Sequence, residues 1–195
     1  AGAVGAGSLL AACGGGGSNA DVRWGNWTLY LDYDSNKKVY PTLEEFTAKT
    51  KVSVKYLEDY NDNDEFYGKV QGQLKLKKDI GYDLICPTDW MAARYIRLGY
   101  AEKLDKANIP NAKNIIPSLA SVPFDTNRDY SLTWQGIMGG FTWNKEKLPK
   151  GIHTLDDLFA PANKGKIEVL TELRDTVGVI MMAQGVDITK FTKDQ

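Results

Sequence analysis

The sequence predicts an α/β fold built on a parallel sheet, and two observations lead to this prediction. Segments rich in β-branched and aromatic residues alternate with segments of helical periodicity, in the order βαβαβα. Parallel strands need crossover helices between them, so this order is typical of a parallel sheet with helices on both faces. The chain has 195 residues, of which 43% are hydrophobic, and it is long enough to bury a core.

The first strand–helix–strand unit is predicted from local composition and spacing. Residues 28–33 (TLYLDY) are rich in β-forming side chains and predict the first strand. Pro41 predicts the start of the first helix, with Thr42 and Glu45 in the spacing of a capping box. Residues 52–56 alternate with period two and predict the second strand.

The second helix is predicted to begin at Asp62, which stands three residues before Glu65. Phe66, Val70 and Leu74 follow with a spacing of four residues and form one apolar face of this helix. The remaining elements alternate in the same way. They are predicted strands at 82–87, 140–143 and 166–170, and predicted helices at 90–98 (closed by Gly99), 154–159 and 171–183.

The composition excludes several classes of function. The 25 acidic and 24 basic residues leave a formal net charge of −1, so no basic surplus is available for a nucleic-acid partner. A single histidine, His153, and two cysteines, Cys13 and Cys86, indicate neither a catalytic triad nor a zinc site. We therefore expect no enzymatic activity, no metal and no cofactor. Cys86 lies in an apolar run and is interpreted as a small core residue.

The N-terminal residues indicate an exported protein. Residues 1–13 (AGAVGAGSLLAAC) resemble the end of a bacterial lipoprotein signal, in which a lipobox ends at the cysteine to be lipidated, here Cys13. Residues 14–26 begin with GGGGS and are predicted to be a flexible tether. We expect a periplasmic protein, or one at the outer face of the cytoplasmic membrane, anchored by a lipid on Cys13.

Several segments taken together resemble one known family. YDLICPTD at 82–89 is followed by a predicted helix and then by GYAEKLD at 99–105. Further segments continue the pattern at similar spacing, namely SVPFD at 121–125, YSL at 130–132, LDDLF at 155–159 and KGKI at 164–167. From about Trp27 to Gly185 the chain is therefore similar to the spermidine/putrescine-binding proteins of bacterial ABC importers.

This resemblance implies a periplasmic-binding-protein-like fold of type II. Two α/β lobes joined by a hinge would close on the ligand, and the whole architecture needs roughly 300 residues. The first lobe is expected at 27–138 and the start of the second at 139–195. The resemblance thus implies a second lobe that is incomplete in this chain. Since an initiator Met and a basic n-region are also missing, we expect a sequence truncated at both ends.

The resemblance also implies a set of ligand-binding residues. Loops beyond the carboxyl ends of parallel strands form the binding edge of such a sheet. The expected ligand-binding residues are Asp34, Ser35, Thr88, Asp89 and Trp90 on the first lobe, and Glu172 and Asp175 on the second. Carboxylates would bind the ammonium ends of a polyamine, and aromatic faces such as that of Trp90 would cover its methylene stem.

The expected function is capture of a polyamine for an ABC importer permease by a monomeric receptor without a reaction of its own. Another solute remains open on the same fold, namely another amine, an amino-acid derivative, an iron complex, thiamine or a phosphonate. Asp34 and Lys37 stand where the family commonly offers aromatic residues, and Arg174 separates the two acidic residues, so the ligand is not settled. An exported hydrolase with paired carboxylates is a further alternative.

Purely structural interpretations of the same residues also remain open. Glu172 and Asp175 could complement the N-terminal dipole of the last helix. Asp89 could be the N-cap of the helix that follows the third strand. Trp90 could pack within its lobe instead of facing a ligand.

Overall fold

The computed structural model describes residues 20–190, which form two compact units. Within this part, the first unit comprises residues 20–60 and 78–86, and the second comprises residues 61–77 and 87–190. The predicted signal segment with its lipidation site Cys13 lies outside the described residues. None of the helices within the described residues combines the length and the apolar character that crossing a membrane requires.

The first unit contains a three-stranded parallel sheet in the order β2-β1-β3. The strands are β1 (Val22–Trp27), β2 (Val54–Tyr60) and β3 (Leu84–Ile85). Helix α1 (Pro41–Thr50) lies between the first two strands in the chain. The parallel α/β character predicted from the order of elements is confirmed.

The predicted position of the first strand is wrong. Strand β1 is formed by Val22–Trp27, whereas residues 28–31 form a turn in which Leu29 has a φ of 64°. Residues 22–26 of this strand lie within the segment 14–26 that was predicted to be a tether. Local composition misses this strand because its central residues, Gly25 and Asn26, have low β-propensity and are nevertheless buried.

The tertiary contacts of β1 explain why this segment forms a strand although Gly25 and Asn26 have low β-propensity. A Cβ on Gly25 would lie 2.9 Å from the ring of Tyr82, so only glycine allows this close packing. Arg23 carries a charge in the same strand, and its guanidinium pairs with Asp79 at 2.8 Å and with Asp83 at 2.7 Å. Burial and ion pairing thus decide the position of the strand.

The capping box predicted at Thr42 and Glu45 is also wrong. Helix α1 begins after Tyr40, which is its N-cap, and Pro41 occupies the first helical position. Thr42 is therefore already inside the first turn, where its backbone N–H donates to Asp32 Oδ2 at 3.2 Å. Glu45 pairs instead with Lys49 one turn later. Proline is favoured at the first position because its missing N–H is not needed there.

The second unit begins with helices α2 (Asn63–Lys75) and α3 (Asp89–Arg97). The predicted N-cap Asp62 is confirmed, since its carboxylate accepts a hydrogen bond from the backbone N–H of Glu65 at 3.0 Å. Side chains from both helices form a core, in which Tyr67 packs edge-on against Tyr95 at 5.7 Å. The buried side chains of these helices are Asn63, Phe66, Val70, Met91 and Tyr95.

The later part of the second unit contains helices α4 (Leu155–Leu158) and α5 (Leu173–Ala183). Thr154 and Asp157 form a capping box at the start of α4. The strands predicted at 140–143 and 166–170 are wrong, because neither segment pairs with another strand among the described residues. Short 3-10 helices lie at Lys106–Asn108, Pro110–Asn114, Pro117–Leu119 and Pro161–Asn163.

Candidate functional site

One buried asparagine joins the starts of three helices in the second unit. Asn63 is the first residue of α2 and has no exposed surface. Its side-chain oxygen accepts a hydrogen bond from the backbone N–H of Thr88, the N-cap of α3, at 3.1 Å. Its side-chain nitrogen donates to Oε2 of Glu172, the N-cap of α5, at 2.8 Å. The first turns of α2, α3 and α5 therefore meet at this side chain.

Glu172 is a buried carboxylate at this junction, with 8% of its surface exposed. Its Oε2 also accepts a hydrogen bond from the backbone N–H of Asn63 at 3.2 Å. The side chain caps no N–H of its own helix α5. Instead it lies at the start of α2, where free N–H groups favour a negative charge. A carboxylate has two oxygens, so Oε1 keeps capacity to accept a ligand hydrogen bond.

Trp90 lies in the first turn of α3, and the guanidinium of Arg174 packs against its ring. The guanidinium carbon of Arg174 lies 4.4 Å from the ring centroid of Trp90. This distance is within the range of about 6 Å for a cation–π contact. The indole Nε1 of Trp90 and the hydroxyl Oγ1 of Thr88 are both buried without a hydrogen-bond partner. The hydrogen-bonding capacity of both groups is therefore unused in this structure, which is rare for buried polar atoms.

The two remaining acidic candidates of the second unit are exposed. Asp89 is the first residue of α3, and the N-cap of that helix is Thr88, so the interpretation of Asp89 as the N-cap is wrong. Asp175 lies in the first turn of α5. Both side chains are therefore accessible to a cation in solution.

Asp34 and Ser35 belong to the first unit, where Asp34 stabilises a turn. Its Oδ1 accepts hydrogen bonds from the backbone N–H groups of Asn36 at 3.0 Å and of Lys37 at 3.1 Å. Its own backbone N–H donates to the carbonyl of Val39 at 2.9 Å. One oxygen of the carboxylate is thus used within the loop, while Ser35 is exposed.

Two residues of the junction were not among the expected site residues. Asn63 follows the N-cap Asp62 directly, and a helix start is the only local signal at this position. Arg174 stands out in the sequence only as a charge between two acidic residues. Neither pattern reveals a partner more than 80 positions away, because such a contact depends on packing.

The environment of Cys86 disfavours a reactive thiol. Burial raises the pKa of the Cys86 thiol to about 11, so the nucleophilic thiolate is scarce at neutral pH. Its backbone carbonyl accepts a hydrogen bond from the indole of Trp27 at 2.7 Å. Across residues 20–190, the structure shows no cluster of His, Cys, Asp and Glu side chains that could hold a metal ion.

Comparison with known proteins identifies the family. Residues 42–195 match the family of bacterial extracellular solute-binding proteins. The chain belongs to this family. The predicted recognition as a solute-binding protein is thereby confirmed.

Several curated relatives of this solute-binding protein carry names that state a ligand. A spermidine/putrescine-binding periplasmic protein of Escherichia coli K12 is 31% identical over 162 residues, which are 82% of this chain and 45% of the relative. One named spermidine/putrescine-binding periplasmic protein 1, from Haemophilus influenzae, is 26% identical over 83% of this chain and 44% of its own. A putrescine-binding periplasmic protein of Pseudomonas aeruginosa is 29% identical over 73% of this chain and 38% of its own. The chain thus spans less than half the length of these relatives.

A solved structure supports the fold of this solute-binding protein. It is described as a candidate spermidine/putrescine ABC transporter from Listeria monocytogenes and superposes with a TM-score of 0.70. The superposition covers 89% of this chain and 50% of that chain, at 21% sequence identity. It confirms the predicted α/β, periplasmic-binding-protein-like fold.

Proposed function

We propose that this chain is part of a receptor that captures spermidine or putrescine and delivers it to an ABC importer permease. The observation that carries the proposal is the 31% identity, over 82% of this chain, to a protein named as a spermidine/putrescine-binding periplasmic protein. The chemistry of the junction in the second unit agrees with such a ligand.

The junction offers the groups that an alkyl diammonium ligand requires. Asp175 presents an exposed carboxylate, and Glu172 keeps a free acceptor oxygen. The ring of Trp90 already holds one cation, which shows that its face suits a positive charge. The Oγ1 of Thr88 has no hydrogen-bond partner, and a hydroxyl oxygen can accept a hydrogen bond from an ammonium group.

The magnitudes indicate how many favourable contacts a receptor for such a ligand needs. Burial of four methylene groups contributes about 3 kcal/mol, and each hydrogen-bonded ammonium end adds roughly 1.5–3 kcal/mol. A micromolar dissociation constant needs about 8 kcal/mol after the cost of association. These gross contributions barely exceed that value before the cost of association, so a receptor needs nearly all of these contacts. Following the family resemblance, we propose that Asp34 and Ser35 also contact the ligand.

Calorimetric titration of putrescine and spermidine into the full-length, unlipidated protein tests this proposal. We expect micromolar or tighter binding in a one-to-one ratio. The double variant Glu172→Gln with Asp175→Asn should lose at least tenfold in affinity, since it removes two charges and keeps the hydrogen bond to Asn63. Glu168→Gln, which changes an exposed carboxylate just before α5, is the matched control. Absence of polyamine binding by the folded wild type would overturn the proposal.

We also propose that the receptor is exported, is monomeric and is lipidated at Cys13. The curated relatives are named periplasmic proteins, and the LAAC sequence ending at Cys13 resembles a lipobox. Cys13→Ser should move the protein from the membrane fraction to the soluble fraction and abolish labelling by radioactive palmitate. Retention of the label in this variant would exclude Cys13 as the lipidated residue.

A further inference from the structure

We propose that Arg174 is an internal competitor for the aromatic face of Trp90, which a cationic ligand must displace in order to bind. This inference rests on the proposed function, because it names a residue that sets the affinity of the same site. It is independent of which polyamine is the natural ligand.

The junction at Asn63 holds the two side chains together. Trp90 follows the N-cap Thr88 by two residues, and Arg174 follows the N-cap Glu172 by two residues. Both N-caps are hydrogen-bonded to the same buried Asn63 side chain. The second residues of α3 and α5 are thereby placed next to each other, with the guanidinium 4.4 Å from the ring centroid.

The contact is of the kind that an ammonium group of a ligand would make. A cation over an indole ring is attracted by the negative face of the ring, whether it is a guanidinium or an ammonium. Both cations cannot occupy the same face at the same time. A polyamine that uses this face of the ring must therefore replace Arg174 there.

Arg174 is held in a way that allows displacement. Its side chain is exposed and, among residues 20–190, takes part in none of the ion pairs of the structure. Arg94 of the same unit provides a contrast, since it lies 4.9 Å from the Tyr67 ring centroid and also pairs with Asp64 at 3.1 Å. The guanidinium of Arg174 can thus move into water when it leaves the ring, at a cost limited to the cation–π contact.

Such a competitor favours ligands with more than one charge. A small monoamine has a single ammonium group, which cannot contact the ring and both carboxylates at once, so it gains little beyond the ring contact that Arg174 already makes. A polyamine also reaches the carboxylates of Glu172 and Asp175, which gives it the additional attraction needed to displace the arginine. Arg174 would therefore discriminate against monoamines.

The experiment compares spermidine binding to the full-length wild type, Arg174→Ala and the control Arg94→Ala by calorimetry at one ionic strength. We expect Arg174→Ala to bind spermidine roughly 3- to 30-fold more tightly. A change of this size in the dissociation constant corresponds to the free energy of one cation–π contact. Arg94→Ala should bind as the wild type does. Binding that is unchanged or weaker in Arg174→Ala, with normal binding by the wild type, overturns this inference and leaves the proposed function intact.

A second background separates displacement from simple charge repulsion. Removal of any nearby positive charge attracts a cationic ligand, so the same pair is measured in a Trp90→Leu background. Competition for the ring predicts that the gain from Arg174→Ala shrinks there to less than about twofold, whereas an equal gain in both backgrounds overturns the inference. If Trp90→Leu does not fold, Trp90→Phe replaces it. The gain in spermidine affinity from Arg174→Ala should then be smaller than the gain in the wild-type background. No polyamine binding by any variant, in a folded protein, overturns the proposed function together with the inference.

Discussion

The side-chain nitrogen of Asn63 lies 2.8 Å from Oε2 of Glu172, although the two residues are 109 positions apart in the chain. Both residues are buried. A buried carboxylate without hydrogen-bond donors is costly, so this bond stabilises the position of the first turn of α5 relative to α2. The proposed ligand contacts of Trp90 and Asp175 depend on this arrangement.

Replacement of Asn63 tests this role. Asn63→Ala removes the donor to Glu172 and the acceptor for the Thr88 N–H, so we expect the free energy of unfolding to fall by about 1.5–3 kcal/mol. Urea denaturation of the full-length protein measures the change. Asn61→Ala is the control, because this exposed side chain makes only a long bond to Glu65 at 3.2 Å, and it should cost less than about 0.5 kcal/mol. Equal stability of the two variants would contradict the role of Asn63.

The close packing of Gly25 against Tyr82 leads to a second prediction. Gly25→Ala places a methyl group 2.9 Å from the tyrosine ring in the first unit, so it should destabilise by about 1–3 kcal/mol. Gly72→Ala in α2 is the control, since nothing lies within 4 Å of its Cβ and helix propensity favours alanine. Thermal unfolding measures both. A Gly25→Ala protein as stable as the wild type would show that the ring can move away.

The ion pairs of Arg23 predict a pH dependence. Hydrogen bonds from the Arg23 guanidinium hold the pKa values of Asp83 and Asp79 below their ordinary value. Since these pKa values are lower in the folded state, the stabilisation is present above the ordinary carboxyl pKa and is lost as the pH falls through the depressed values. Arg23→Met should return both pKa values toward normal, as measured by NMR titration of the carboxyl carbons. Arg97→Met, at the exposed end of α3, should leave them unchanged, and an equal effect of both variants would refute the assignment.

The environment of Cys86 leads to a prediction about reactivity. Burial raises the pKa of this thiol to about 11, so in the folded Cys13→Ser protein we expect iodoacetamide to alkylate it far more slowly at pH 8 than in denaturant. The rate should increase as the pH approaches 11. Mass spectrometry follows the modification over time. Alkylation of the folded protein at the rate of the denatured chain would show that partial burial does not protect the Cys86 thiol.

Local signals in the sequence were sufficient for much of the fold. The spacing of Asp62 and Glu65 predicted the start of α2, and the confirmed N-cap bond forms within one turn of the chain. The alternating order of elements predicted the parallel sheet because crossover helices require it. Family resemblance pointed to Thr88, Trp90 and Glu172, which the structure brings together in the second unit, while their contact with a ligand stays a prediction.

Only the tertiary structure decided the remaining features. Strand β1 contains Gly25 and Asn26, which are poor β-formers. It is stabilised by packing of the Tyr82 ring against Gly25 and by the ion pairs of Arg23 with two carboxylates. The contact of Arg174 with Trp90 and the bond of Asn63 to Glu172 join residues more than 80 positions apart. A local pattern encodes the preference of a segment for helix or strand, whereas the partner of a buried side chain is set by how those segments pack.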